Sequence, residues 1–230
     1  MTALVLLPGM MCDARLFGPQ IGALSGVTTL HLPPLTGADT VAGLAAQILR
    51  EAPPRFALAG LSMGGIVAME VLRQAPDRVT KIALLDTNPL AETPNQQARR
   101  APQIARVLEG GLEAVMRDEM KPLYVADTPR RAEILDLCMT MALVLGPEIF
   151  AAQSRALAGR PDQSATLAAF QGPALVLMGE RDALCPRPRH DLMHALMPQS
   201  RLAIIAGAGH LPTLEKPDET TAELRRWLEE

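Results

Sequence analysis

A chain of 230 residues with 48% hydrophobic side chains can bury one sizeable core and still carry one insertion. Its formal net charge of −3 argues against nucleic acid or an anionic membrane surface as a partner. The three cysteines, Cys12, Cys138 and Cys185, are far apart and show no C-x-x-C spacing, which speaks against a disulfide framework or a structural metal and for a reducing, cytoplasmic setting.

Short apolar runs alternate with helical patterns. Residues 4–7 read as a first strand, ended by Pro8-Gly9. No basic segment precedes it, so no signal peptide is expected, and no run approaches the length of a membrane span. Residues 14–24 suit a helix and 27–32 a second strand. Asp39 or Thr40 can cap a helix running to residue 49. Residues 56–59 form a third strand, 63–75 a helix that stops at Pro76, and 79–85 a fourth strand. Two more strands fall at 174–178 and 202–205, with a helix at 188–197 between them and a last helix at 217–228. Strands alternating with helices imply a parallel sheet covered on both faces.

Residues 88–170 break that rhythm. They hold no convincing strand, and 104–116, 132–144 and 148–158 read as helices. An inserted helical lid is expected there, with residues 1–87 and 171–230 forming the core. Aromatic residues are only 3%, against 12 methionines, so core and pocket must be built from aliphatic side chains and thioethers.

The strand at 56–59 runs into Gly60-Leu61-Ser62-Met63-Gly64, a G-x-S-x-G corner between a strand and a helix. Such a corner needs small neighbours because the backbone turns sharply. It lifts Ser62 Oγ above the sheet, at a helix N-terminus that favours developing negative charge. A serine nucleophile needs a base and an orienting carboxylate. His210 follows the last strand within Gly207-Ala208-Gly209-His210, on the sheet edge where open α/β sheets bind ligands. His31 falls within a strand pattern. His190 and His194 share a helix face at i, i+4 without a third ligand, so they read as a solvated face.

For the acid, Asp182 lies beyond the strand before that of His210, and Asp86 ends the fourth strand and remains an alternative. Glu180 can pair with Arg181. The amides of Met63 and Met10 are the expected oxyanion donors, the latter turned inward by Gly9. Gly9, Met11 and Leu211 are expected on the pocket wall; Met139 and Met141 are further candidates for it, though packing between the lid helices is the expected role of most lid methionines. Cys12 and Cys185 fall in loops on the same edge and read as small buried apolar residues.

The stretches Leu6-Leu7-Pro8-Gly9-Met10, Gly60-Leu61-Ser62-Met63-Gly64-Gly65, Gly179-Glu180-Arg181-Asp182 and Gly207-Ala208-Gly209-His210 together resemble the α/β-hydrolase superfamily, in its lid-bearing esterase and lactonase branch. The resemblance covers nearly the whole chain outside the lid. It departs at Pro8-Gly9, where many relatives have His-Gly, and at His31-Leu32-Pro33-Pro34-Leu35-Thr36-Gly37, where an Asp-x-x-Gly-x-Gly stretch is usual. Two early strands common in the family are missing. What it implies is a sheet of about six parallel strands in the order 2-1-3-4-5-6. It also implies a serine hydrolase for a small carboxylic ester, thioester or lactone, needing no metal or cofactor and working as a monomer or homodimer. Serine at the nucleophile position disfavours halide displacement, and Leu61 before it disfavours carbon–carbon cleavage. Acyl transfer, elimination by the same residues, or a pocket that only binds a ligand are the alternatives.

Overall fold

The computed structural model describes residues 2–230. Six strands form one sheet: β1 (Ala3–Leu7), β2 (Leu30–His31), β3 (Phe56–Leu61), β4 (Val79–Leu85), β5 (Ala174–Gly179) and β6 (Arg201–Ile205). Their spatial order is β2-β1-β3-β4-β5-β6, and every pairing is parallel. The expected α/β architecture and strand order therefore hold. β3 and β5 are buried at every residue, as befits strands covered on both faces. The chain leaves β1 toward β2 on one side and β3 on the other, so the switch point lies between β1 and β3.

Among the described residues ten α-helices cover the sheet or fill the β4–β5 interval. α1 (Gly18–Leu24) follows a 3₁₀ turn at Ala14–Phe17 that splits the expected 14–24 helix. α2 (Val41–Glu51) starts at Thr40, whose hydroxyl accepts from the Gly43 amide at 3.1 Å. α3 (Met63–Gln74) is buried from Met63 to Leu72, wedged behind β3.

The interval between β4 and β5 is helical. α4 (Pro94–Arg106) starts well before the expected residue 104, because Thr93 and Gln96 form a reciprocal capping box. The helix expected over 104–116 is instead a kinked run, π-helical at Val107–Gly111 and Met116–Met120 around α5 (Leu112–Val115). The cause is local: Gly110 takes φ 96°. α6 (Arg131–Ala158) joins the expected 132–144 and 148–158 helices through Gly146 (φ 82°, ψ 174°) and Pro147. By length and composition α6 is apolar enough to cross a membrane, with a window of mean hydropathy 1.7, which corrects the expectation that no run comes close. The kink divides it, however, and each arm alone falls short of the roughly 20 residues a span requires. Ile134, Cys138, Met141, Ala142 and Phe150 bury its inner face. α7 (Ser164–Ala169) completes the interval.

α8 (Arg187–Leu196), α9 (Pro212–Glu215) and α10 (Pro217–Glu229) complete the cover. β2 pairs over two residues only, not the expected 27–32. Val27 is exposed, and as an edge strand β2 has a single neighbour, β1.

Candidate functional site

Three strand ends converge on one edge. β3 runs directly into Ser62, which sits at φ 54° and ψ −116° before α3 begins. That left-handed conformation is sterically costly for a side chain and typical of a sharp strand-to-helix corner. The glycines around it are required by contact. A Cβ on Gly60 would lie 2.3 Å from the Gly64 carbonyl oxygen, and one on Gly64 2.0 Å from that of Leu7. The corner is tied to β4: the Ser62 amide donates to the Leu85 carbonyl at 2.9 Å, and Thr87 Oγ1 donates to the Ser62 carbonyl at 2.7 Å.

Ser62 Oγ lies 2.9 Å from His210 Nε2, and His210 Nδ1 lies 2.9 Å from Asp182 Oδ2. These partners fix the tautomer: Nδ1 carries the proton toward the carboxylate and Nε2 accepts from the hydroxyl. Asp182 Oδ1 accepts from the Leu184 and Cys185 amides at 2.8 and 3.0 Å. Burial works against the charge on Asp182, but the imidazole beside it and these amide donors outweigh it and hold the carboxyl down to about 2. The arrangement can pass a proton from a serine hydroxyl to an imidazole whose positive charge is met by a fixed carboxylate.

Asp86 is not part of this chain of hydrogen bonds. It is fully buried, its Oδ1 accepts from the Gly179 amide at 2.8 Å, and its carboxyl lies against that of Asp182, to which it can donate only when protonated. Burial and the neighbouring Asp182 carboxylate push it well above the ordinary range. His190 corrects an expectation: its helix face is not solvated. It is fully buried with both ring nitrogens unpartnered among the described residues, and a ring nitrogen, Asp86 and Asp182 oxygens all lie within 4.8 Å of one another. Burial lowers it to about 4. His194, half-buried, meets Ser200 Oγ through Nδ1 at 2.8 Å. Glu180 does not pair with Arg181; its carboxylate accepts from the Gly207 amide at 2.9 Å.

Two residues that the sequence did not single out hold the loops. Glu215, on α9, accepts from the Gly209 amide at 2.9 Å, the Leu211 amide at 3.0 Å and the Ala126 amide at 2.8 Å. One carboxylate thus brackets His210 and ties its loop to the β4–β5 interval, where the Tyr124 carbonyl accepts from the His210 amide at 3.0 Å. Gln153, buried on α6, accepts from the Met11 amide at 2.8 Å and donates to the Leu35 carbonyl at 2.9 Å. Met11 sits at φ 55°, and its side chain is core, not pocket wall as expected. Met139 and Met141 are not on the wall either; Met141 is buried, with its sulfur 3.5 Å from the Asp13 amide.

A cavity of about 180 Å³ opens over Ser62. Gly9, Met10, Cys12, Leu61, Met63, Cys185, His210 and Leu211 line its floor and sides; Glu92, Gln96, Arg100, Met120, Tyr124, Leu157 and Arg160 line it from the β4–β5 interval. Among the described residues no acceptor takes the Met10 N–H. The Met63 N–H, at the first helical position, has no partner within its helix. Burial raises the Cys12 and Cys185 thiols well above their ordinary range, so both are poor nucleophiles.

Known proteins resemble this chain in sequence and in fold. The alpha/beta hydrolase family model matches residues 4–224. Pimeloyl-[acyl-carrier protein] methyl ester esterase of Xanthomonas oryzae is 28% identical, covering 98% of this chain and 94% of the relative. The protein of the same name from Edwardsiella ictaluri is 30% identical, with coverages of 96% and 91%. Among solved structures, a thermophilic esterase from Thermogutta terrifontis with malate bound superposes with a TM-score of 0.90 at 28% identity, over 100% of this chain and 90% of that one. The enol-lactonase of Burkholderia xenovorans shares the fold, with a TM-score of 0.88 at 20% identity over 100% and 92% of the two chains.

Proposed function

The chain belongs to the alpha/beta hydrolase family, and on that footing we propose that it is a serine hydrolase of small carboxylic esters, thioesters or lactones. The observation that carries the reading is the unbroken Ser62–His210–Asp182 hydrogen-bond chain opening into a partly open, mostly apolar cavity. Ser62 Oγ attacks the ester carbonyl while His210 Nε2 takes its proton. Asp182 steadies the imidazolium. The Met10 and Met63 amides receive the oxyanion, each worth roughly 3–4 kcal/mol in the transition state. The tetrahedral intermediate collapses, His210 returns the proton to the leaving alkoxide or thiolate, and the acyl group stays on Ser62. Water then attacks with His210 as base, and the acid leaves.

Residues 88–170 act as the lid over a core of residues 1–87 and 171–230; they supply the cavity's roof, including Met120, Tyr124 and Leu157. A cavity of about 180 Å³ is smaller than the roughly 300–1,000 Å³ of drug-sized sites and suits a short acyl group. The relatives named as methyl ester esterases support a small alcohol as leaving group.

The test is hydrolysis of p-nitrophenyl esters from acetate to decanoate by the native chain and by Ser62→Ala. Turnover with an optimum at short acyl chains, lost in Ser62→Ala, is expected. A fluorophosphonate probe should label the native chain at Ser62 alone. Turnover that survives Ser62→Ala, or no turnover of any ester, would overturn the reading.

A further inference from the structure

The roof of the cavity carries charge that ester cleavage does not use. Arg100 and Arg160 both line it, and Glu92 is the one carboxylate among the residues lining it. Glu92 Oε1 accepts from Arg100 Nη2 at 2.5 Å and from Arg160 Nη1 at 3.1 Å, and Arg100 Nε reaches Oε2 at 3.4 Å. Arg160 Nε donates to the Leu90 carbonyl at 2.9 Å. The Arg100, Arg160 and Glu92 side chains are 17%, 7% and 2% exposed, so the cluster is largely withdrawn from water. Two guanidiniums share one carboxylate, which leaves one surplus positive charge on the wall.

The remaining donors lack strong acceptors. A guanidinium has five N–H groups. Arg100 Nη1 meets only the Met10 sulfur, at 3.8 Å, a weak acceptor. Arg160 Nη2 has no acceptor among the described residues, since this side chain's bonds run through Nε and Nη1. Met10 is also the proposed oxyanion donor, so the Arg100 fork lies one side chain from the reacting carbonyl. A fully neutral ester would leave these donors facing apolar atoms, which is costly for a buried charge. An anionic oxygen group would accept from them through charge-assisted, geometrically matched bonds.

We infer that the cavity recognises esters carrying a second, anionic oxygen group, a carboxylate or a phosphate, held by Arg100 and Arg160 while Ser62 attacks the ester carbonyl. The inference rests on the hydrolase reading for the reaction but not for the binding. Glu92 sets the two forks side by side. If the cluster only pinned the roof, the charge of the substrate would not matter.

The test compares monomethyl adipate, an anion, with dimethyl adipate, which is neutral, in the native chain and in Arg100→Gln, Arg160→Gln and Glu92→Gln. The expected native preference for the half-ester is roughly ten- to a hundredfold in kcat/KM, carried mainly by KM. Either arginine substitution should cut that ratio about tenfold, and Glu92→Gln should raise it. The ratio is taken within one protein, so a reduced folded fraction cancels. As a measurement that needs no variant, adipate and inorganic phosphate are tried as competitive inhibitors of p-nitrophenyl acetate turnover by the native chain. Inhibition by adipate assigns a carboxylate, inhibition by phosphate alone assigns a phosphate, and both support the site. A native ratio near one with no inhibition by either anion overturns it. Should the native chain cleave no ester, the hydrolase reading fails separately. Calorimetric titration with adipate or phosphate then decides: binding weakened by Arg100→Gln supports the anion site, and no binding overturns it.

Discussion

Replacing Gln153 with Leu removes a single side chain on α6 that holds the proposed oxyanion loop through Met11. The substitution leaves the Met11 amide without its 2.8 Å acceptor and the Leu35 carbonyl without its 2.9 Å donor, both in buried surroundings. Each stranded group costs about 1–3 kcal/mol, so a loss of about 2–4 kcal/mol in stability follows after partial relaxation. For a chain of this length that is a fall in Tm of roughly 5–15 °C. The effect on turnover is separate. Met11 is held at φ 55°, a conformation worth about 1–3 kcal/mol of strain, and the hydrogen bond its N–H donates to Gln153 Oε1 helps hold it there. Released, Met11 relaxes and carries the adjacent Met10 N–H away from the oxyanion. Complete loss of such a donor costs about 10²–10³ in kcat, so displacement should cost about 10- to 100-fold. KM for p-nitrophenyl acetate should change little, because the donor acts on charge that develops only in the transition state. The assay is steady-state kinetics at a temperature where thermal unfolding shows the variant fully folded. A folded Gln153→Leu protein with unchanged kcat refutes the reasoning.

Four further outcomes are expected. Asp182→Asn should lose roughly 10⁴ in kcat, because the amide no longer fixes the imidazole tautomer. Asp86→Asn should stay within about tenfold, because an amide matches a protonated carboxyl and keeps the acceptor for Gly179; equal losses in the two variants would make Asp86 part of the machinery. Glu215→Ala strands three backbone amides around His210 and should destabilise the chain by about 2–4 kcal/mol while lowering kcat, read by urea unfolding and by turnover in the folded range; undiminished kcat would mean the loop is held elsewhere. His190 should impose a pH slope on stability. Its ordinary value is near 6.5 and burial lowers it to about 4, so between those values the unfolded chain takes up a proton that the folded chain refuses. Stability from this residue is complete above pH 6.5 and falls on acidification, by about 3 kcal/mol at pH 4. His190→Leu should flatten urea-unfolding stability across that window, and an unchanged slope would refute the assignment.

How much of this could be read from the chain alone divides along contact distance. The Gly60-to-Gly64 corner was legible because part of its constraint is local: Gly60 is demanded by the Gly64 backbone of the same turn, whereas Gly64 is demanded by the end of β1 at Leu7, a contact the motif carries without showing its partner. The strand and helix order was legible from periodicity, and even the break in α6 showed in the Gly146-Pro147 pair. Gln153 and Glu215 were not legible. Gln153 acts on a residue 142 positions away and Glu215 on one 89 away, and no local pattern announces either contact. His190 was misread because its i, i+4 spacing with His194, with no third ligand in the local sequence, suggests a solvated face, while packing beside Asp182 and Asp86 turns it inward. The kinked stretch 107–120 was misread because a helical period persists through Gly110, whose positive φ reveals the bend only in three dimensions.

Strain and support follow one pattern along the catalytic edge. The non-glycine residues with positive φ among those described are Met11, Ser62 and Asp86, at 55°, 54° and 43°. They sit beyond β1, β3 and β4, neighbouring strands at the centre of the sheet. Each is fixed by a neighbouring element rather than its own. Ser62 is bonded by its amide to the end of β4, Asp86 by its amide to Leu177 of β5 and by its carboxyl to Gly179, and Met11 by its amide to Gln153 of α6. Strain of about 1–3 kcal/mol per residue persists only where the surroundings over-determine the backbone. The sheet supplies that determination laterally at Ser62 and Asp86, where the next strand end braces the turn, and α6 supplies it at Met11. On this view Asp86 does not serve as a spare acid. Its role is to lock the turn that lets β5 deliver Asp182 to His210, which is why a neutral side chain of the same shape should serve there and a charged one is not required.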